Sequence, residues 1–201
     1  MSRRSVLSPA FLSGTSSEYL GRKPLPRLLK RRLVVVITGP GGVGKTSVAC
    51  RIAGDEALRL DDSAVHRATV NWLKQQRWRE ELTEHPDLII DGPVFLPQRI
   101  GAARALADLI RHRTDSGLRT YICEGGLADG SVALLMDAVE PADRVTLTLR
   151  FPKGGGRRRF AQRFCEAHGI DRSFARSTLQ LEPWTYAGVI RQLDLLRCRG
   201  D

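Results

Sequence analysis

Leu33-Val34-Val35-Val36-Ile37-Thr38 is a short, unbroken apolar run rich in β-branched residues. That is the pattern of a strand buried on both faces of a parallel sheet. Three similar runs come later, Leu88-Ile89-Ile90, Thr120-Tyr121-Ile122-Cys123 and Val145 to Leu149. A weaker one, Ala57 to Leu60, stops at the turn residues Asp61-Asp62. Between Ile90 and Thr120, the residues Ile100, Ala103, Leu106, Ala107 and Ile110 recur at helical spacing and share one face. Strands alternating with helices predict a three-layer α/β/α arrangement around a parallel sheet.

The texture changes at both ends of this stretch. After Phe151-Pro152 comes Lys153-Gly154-Gly155-Gly156, a glycine joint, and then a helical register of Phe160, Phe164 and His168. Gly169-Ile170-Asp171 and Glu182-Pro183 divide the carboxyl-terminal segment into two or three helices, because glycine ends helices and proline starts them. The chain therefore divides into a basic arm over 1–32, a core over 33–153 and a small helical lid over 154–201. The arm carries Arg3, Arg4, Arg22, Lys23, Arg27, Lys30, Arg31 and Arg32 against the single acid Glu18. It is either a solvated tail or a contact for phosphate backbones.

One motif carries specific chemistry. Gly39-Pro40-Gly41-Gly42-Val43-Gly44-Lys45-Thr46 satisfies G-x-x-x-x-G-K-[ST], comes after a predicted strand and opens a predicted helix that continues through Ser47. Its glycines let backbone N–H groups turn inward around phosphate oxygens. The helix N-terminus adds its positive dipole end, Lys45 reaches the β and γ phosphates, and Thr46 ligates magnesium. This predicts binding of a nucleoside triphosphate, with the absence of an N-K-x-D motif favouring ATP. Leu88-Ile89-Ile90-Asp91 is a strand ending in a carboxylate, the Walker B arrangement that holds the metal; the other reading of Asp91 is a turn residue before Gly92-Pro93. Gly92 stands where many ATP-hydrolysing enzymes have a second acid. Glu124, at the end of the next strand, is either the acid that orients the attacking water or a loop carboxylate capping Gly125-Gly126.

From Asp91-Gly92-Pro93-Val94-Phe95-Leu96 through a helix to Asp115-Ser116-Gly117 and the strand Arg119 to Ile122, the chain resembles the ATPase core of the DnaA family of AAA+ proteins. Val145 to Pro152, then Arg157 to Ile170, is similar to that family's strand and first lid helix. Val189-Ile190-Arg191-Gln192-Leu193 resembles its Val-Arg-Glu-Leu lid segment. The resemblance spans roughly Leu33 to Leu196. It implies an AAA+-type ATPase or ATP-dependent switch, with Arg191 touching the γ phosphate as sensor 2 and with DNA, a protein partner or further copies of the chain as partners. The departures are Gly92, Cys123-Glu124 at the sensor position, and the lack of a clear arginine finger. Arg144 is the nearest candidate for the finger, and is otherwise a surface charge before a strand.

Two other function classes fit the same motif. In a small-molecule or nucleotide kinase, Arg157, Arg158, Arg159 and Arg163 would line a lid over the donor phosphates and Asp61 or Asp62 would take a proton from an acceptor. A non-hydrolysing accessory protein would bind nucleotide only to recruit a partner, which Gly92 favours. The formal net charge of +10, beyond the share a nucleotide site needs, serves either solubility or an anionic partner such as DNA, for which the arm or Arg157-Arg158-Arg159 would be the contact. Trp72 and Trp78 lie among basic residues and either stack on bases or anchor a helix; Trp184 adds nothing to that choice.

The cysteines bear on compartment. Cys50, Cys123, Cys165 and Cys198 never form a C-x-x-C pair, so neither zinc nor a disulfide framework is expected and a reducing cytoplasm fits. Ser2 to Leu7 has a twin-arginine look without an apolar segment after it, and no stretch approaches the ~18 apolar residues of a spanning helix, so membrane insertion is not expected.

Overall fold

The computed structural model describes residues 32–92, 100–124, 135, 137–151, 154–181 and 185–197. The basic arm up to residue 31, Pro93 to Leu96, Gly125-Gly126, Lys153, Glu182-Pro183, Trp184 and Cys198 lie outside the described residues. The chain forms two compact units. Among the described residues one takes in 32–39 and Lys45 to Thr148, and the other takes in Pro40–Gly44 and those from Leu149 onward.

In the first unit all five apolar runs are strands: β1 Val34–Thr38, β2 Leu58–Leu60, β3 Asp87–Asp91, β4 Arg119–Cys123 and β5 Arg144–Thr148. They form one sheet in the order β2-β3-β4-β1-β5, with every pair parallel. Parallel neighbours need crossover connections, and helices supply them: α1 Lys45–Ala53, α2 Asp62–Gln75, the short α3 Glu80–Glu84 and α4 Ile100–Asp115. Val34 to Ile37 are at most 1% exposed, since β1 has a strand on each side and helices above and below. Val34, Val36, Leu88, Ile90 and Ile122 alternate onto the face covered by α2 and α4. Helix α1 packs on β1, β3 and β4, and its Val48 and Ala49 are buried. Each such aliphatic side chain stabilises the fold by about 1.5–3 kcal/mol relative to exposure.

Helix α4 buries Ala103, Leu106, Ala107 and Ile110 as the periodicity predicts, whereas Ile100, its first residue, is 67% exposed. The same stripe continues into Arg113, which is 0% exposed. Its Nε donates to Thr120 Oγ1 at 3.0 Å, Nη1 to the Leu82 carbonyl at 2.6 Å, and Nη2 to the carbonyls of His85 at 2.9 Å and Arg119 at 2.7 Å. A buried guanidinium is tolerated when its donors are satisfied in this way. Burial lowers its pKa to about 10, which leaves it charged at neutral pH. The side chain thereby fastens α3 and the segments leading into β3 and β4.

Trp72 and Trp78 stack on each other, ring centroids 5.8 Å apart. Trp78 packs against the core and its Nε1 donates to Asp108 Oδ2 at 3.2 Å, the behaviour of a half-buried anchor.

The second unit contains α5 Gly155–His168, a 3-10 helix Arg172–Gln180 and α6 Tyr186–Arg197. Phe160 and Phe164 are buried as their spacing predicts, together with Ile170, Ala175, Val189 and Leu193. Gly169 closes α5 in the left-handed conformation at φ 66°. Asp171 then caps the 3-10 helix by accepting from Ser173 N at 2.7 Å. Thr185 starts α6 in the same way, its Oγ1 accepting from Gly188 N at 2.9 Å. Among the described residues no helix is long and apolar enough to cross a membrane.

Candidate nucleotide-binding site

In a parallel sheet the carboxyl ends of the strands all lie on one edge, and that is where ligands collect. Thr38, Asp91 and Cys123 end β1, β3 and β4, and Glu124 comes directly after, its N–H donating to the Ile37 carbonyl at 2.9 Å. The sheet therefore brings together residues that the sequence keeps apart.

Lys45 opens α1 and is only 9% exposed. Its Nζ donates to the Gly39 carbonyl at 2.7 Å. Burial depresses its pKa, an effect the carboxylates of Glu124 and Asp91 oppose. One residue on, the Thr46 hydroxyl donates to Asp91 Oδ1 at 2.7 Å. This pairing, across 45 residues of sequence, turns Asp91 toward the start of α1 rather than into a turn. Among the described residues no group of three or more His, Cys, Asp or Glu stands ready to hold a metal. Thr46 and Asp91 thus offer two hard oxygens. That fits magnesium, which takes one or two protein oxygens and draws its other ligands from phosphates and water. Ser47 is next on α1 and is partly buried.

Asp91 has a second partner that the sequence did not announce. Arg59, in the middle of β2, forms an ion pair through its guanidinium with Asp91 Oδ2. The register of β2 on β3 sets Arg59 beside Ile89, and alternation turns its side chain away from the face of Leu60, toward that of Ile89 and Asp91. Nothing in the residues flanking Arg59 signals this; only the strand register does. Beneath the pair, burial pushes the Cys123 thiol up to about 12 and raises that of Cys50, so neither is a nucleophile at neutral pH.

Two glycines are fixed by backbone geometry. Gly92, at φ 69°, donates to the Cys123 carbonyl at 3.0 Å. A glutamate held in this conformation would meet the left-handed penalty of about 1–2 kcal/mol. Gly42, within the second unit, has φ 71°, and a Cβ built on it would stand 3.1 Å from Thr185 Cβ. In that loop the Val43 N–H donates to the Pro40 carbonyl at 3.3 Å and the Val43 side chain is fully buried, which anchors the turn between Gly41 and Gly44.

The first unit also holds Asp61, Asp62 and Arg144, and the second unit Arg191 and the arginines of α5. Asp61 is occupied as the N-cap of α2, accepting from Ala64 N at 2.8 Å, and that hydrogen bond lowers its pKa; Asp62 is exposed in the first helical turn. Arg144 begins β5 in register with Val34, while Thr38 pairs with Thr148. It lies about 13 Å of strand from the edge that carries Asp91, so any finger role would be toward another copy's site. Arg144 instead lines a surface cavity of about 550 Å³ with Arg111, Asp115, Asp137, Glu140 and Asp143. Arg191 is exposed on α6, and Arg157, Arg158, Arg159 and Arg163 lie along α5.

A G-x-x-x-x-G-K-[ST] loop between the first strand of a parallel sheet and a helix defines the class, a P-loop NTPase-type α/β fold. No family profile and no curated protein sequence matches the chain. Solved structures do. DnaA domain III from Thermotoga maritima superposes with a TM-score of 0.64 at 16% identity, over 90% of this chain and 78% of that one. DnaA bound to AMPPCP and single-stranded DNA gives 0.66 at 12% identity, over 84% of this chain and 56% of that one. AMPPCP-bound DnaA from Aquifex aeolicus gives 0.63 at 14% identity, over 83% and 56%. The chain spans little more than half the length of these last two. It shares the fold of DnaA domain III.

Proposed function

We propose that this protein binds ATP with magnesium and works as a DnaA-like AAA+ ATPase or ATP-dependent switch, together with DNA or a protein partner. The observation that carries this reading is the Thr46–Asp91 hydrogen bond at 2.7 Å beside the buried Lys45, at the carboxyl edge of the parallel sheet. Gly39 to Thr46 and Ser47 surround the phosphates, Lys45 neutralises the β and γ groups, and Thr46 and Asp91 hold the metal. Magnesium, when bound, screens the phosphate charge. Glu124 orients water, residues 154–201 close as a lid, and Arg191 senses the γ phosphate. DNA as a partner is supported by the net charge of +10 and by the single-stranded DNA in one DnaA structure of the same fold. The contact is the basic arm or Arg157-Arg158-Arg159.

Gly92 favours slow turnover, because the acid that many ATP-hydrolysing enzymes carry at this position is absent and the activation of water is left to Glu124. The test is magnesium-ATP turnover by the wild type, Lys45→Ala and Glu124→Gln, with and without duplex DNA at two salt concentrations. DNA-stimulated turnover that weakens with salt and disappears in both variants is the expected result. Tight binding without phosphate release would select the switch. Turnover that survives Lys45→Ala would remove the reading.

A further inference from the structure

In a P-loop site the strand-end aspartate meets the metal or its water. Here both oxygens of that carboxylate are engaged by the protein: Thr46 donates to Oδ1, and the Arg59 guanidinium pairs with Oδ2. Arg59 keeps half its side-chain surface, at 51%, whereas Asp91 keeps 18%, so the guanidinium remains accessible to an anion while it holds the carboxylate. It is planted between the apolar Leu58 and Leu60 on a strand of three residues, at a register that leaves its side chain on the Asp91 face. A guanidinium presents five donors in a plane suited to phosphate oxygens, and it cannot discharge at neutral pH.

On the reading that this site binds ATP, we propose that Arg59 is a built-in cation of the nucleotide site: it competes with magnesium for Asp91 and supplies phosphate-binding charge of its own, so that nucleotide binding depends only weakly on the metal. Two effects point the same way. Magnesium must displace an ion pair before it gains Asp91, which weakens metal affinity. The nucleotide, in turn, finds positive charge beside Thr46 and Asp91 before any metal arrives. Because coupling between two ligands is reciprocal, the factor by which the metal changes nucleotide affinity equals the factor by which the nucleotide changes metal affinity, so a metal that gains little at the loaded site shows as weak metal dependence of nucleotide binding.

The test uses the full chain and an ATP carrying a fluorophore on its ribose, titrated in excess EDTA and in excess Mg²⁺. The wild type is expected to change affinity by less than about threefold between the two conditions, and Arg59→Gln by about tenfold or more, within the range of ordinary ligand coupling. Arg59→Lys, which keeps the charge without the planar fork, falls between them. Direct Mn²⁺ binding to the nucleotide-loaded protein, monitored by electron paramagnetic resonance, is expected to tighten about tenfold in Arg59→Gln. Equal metal dependence in all three proteins, or a uniform loss of affinity in Arg59→Gln with the metal dependence unchanged, would overturn the role of Arg59 while leaving the nucleotide site intact. Absence of nucleotide binding in every protein and condition would instead overturn the site itself.

Discussion

Replacing Arg113 with methionine is expected to lower the free energy of unfolding by about 3–5 kcal/mol, a magnitude set by leaving several buried acceptors unpaired. Methionine matches the aliphatic stem and fills part of the volume, so the change removes donors more than packing. The carbonyls of Leu82, His85 and Arg119 would each lose a charged partner at 2.6–2.9 Å, in a place where Arg113 itself is 0% exposed. These carbonyls lie on α3, before β3 and on β4, so the loss would loosen the amino-terminal edge of two strands whose other ends carry Asp91 and Glu124. Urea unfolding monitored by tryptophan fluorescence reads the effect as a fall in midpoint. A change below about 1 kcal/mol would mean that water reaches these carbonyls and that the arginine is not the fastening described.

Lys45→Ala is expected to act on binding and spare the fold. On the proposed reading the ammonium faces the β and γ phosphates, and losing a charge-assisted contact of this kind costs about 3 kcal/mol, roughly a hundredfold in Kd. Stability should change by less than about 1 kcal/mol. The wild-type ammonium is desolvated and donates to the Gly39 carbonyl, so its removal relieves a burial cost while taking a donor from that acceptor. Titration of a fluorescent ATP analogue gives the first quantity and urea unfolding of the same variant the second. Loss of both together would show that Lys45 is needed for folding, and the binding result could not then be assigned to phosphate contact.

Much of the site was legible in the residues alone. Val34–Thr38 reads as a doubly buried strand because nothing in it is polar until Thr38, and the glycine-lysine-threonine motif after it reads as a phosphate-binding loop. Asp91 was legible through position alone, as the polar residue that ends an apolar run. Arg59 was not, since its significance comes from β2 lying beside β3 in one particular register, a long-range fact that local pattern does not encode. Arg113 was half visible: it continues the stripe of Leu106 and Ile110, and a charge on an apolar stripe implies buried acceptors, but which carbonyls receive it depends on where α3 and β4 come to rest. The lack of an acid at position 92 was plain in the sequence, and the positive φ with which the chain leaves β3 there was not. Thr185 against Gly42 belongs to the same class of contact, made by residues remote in sequence.

Calorimetric titration of the wild-type protein with ATP, in the presence and absence of magnesium, tests the central claim most directly. Saturable one-to-one binding is the predicted result, with unfolding stability raised by about 2.7 kcal/mol once ATP stands a hundredfold above its Kd. If neither ATP, ADP nor GTP binds saturably at millimolar concentration under either condition, the loop from Gly39 to Thr46 is not a nucleotide site in this protein.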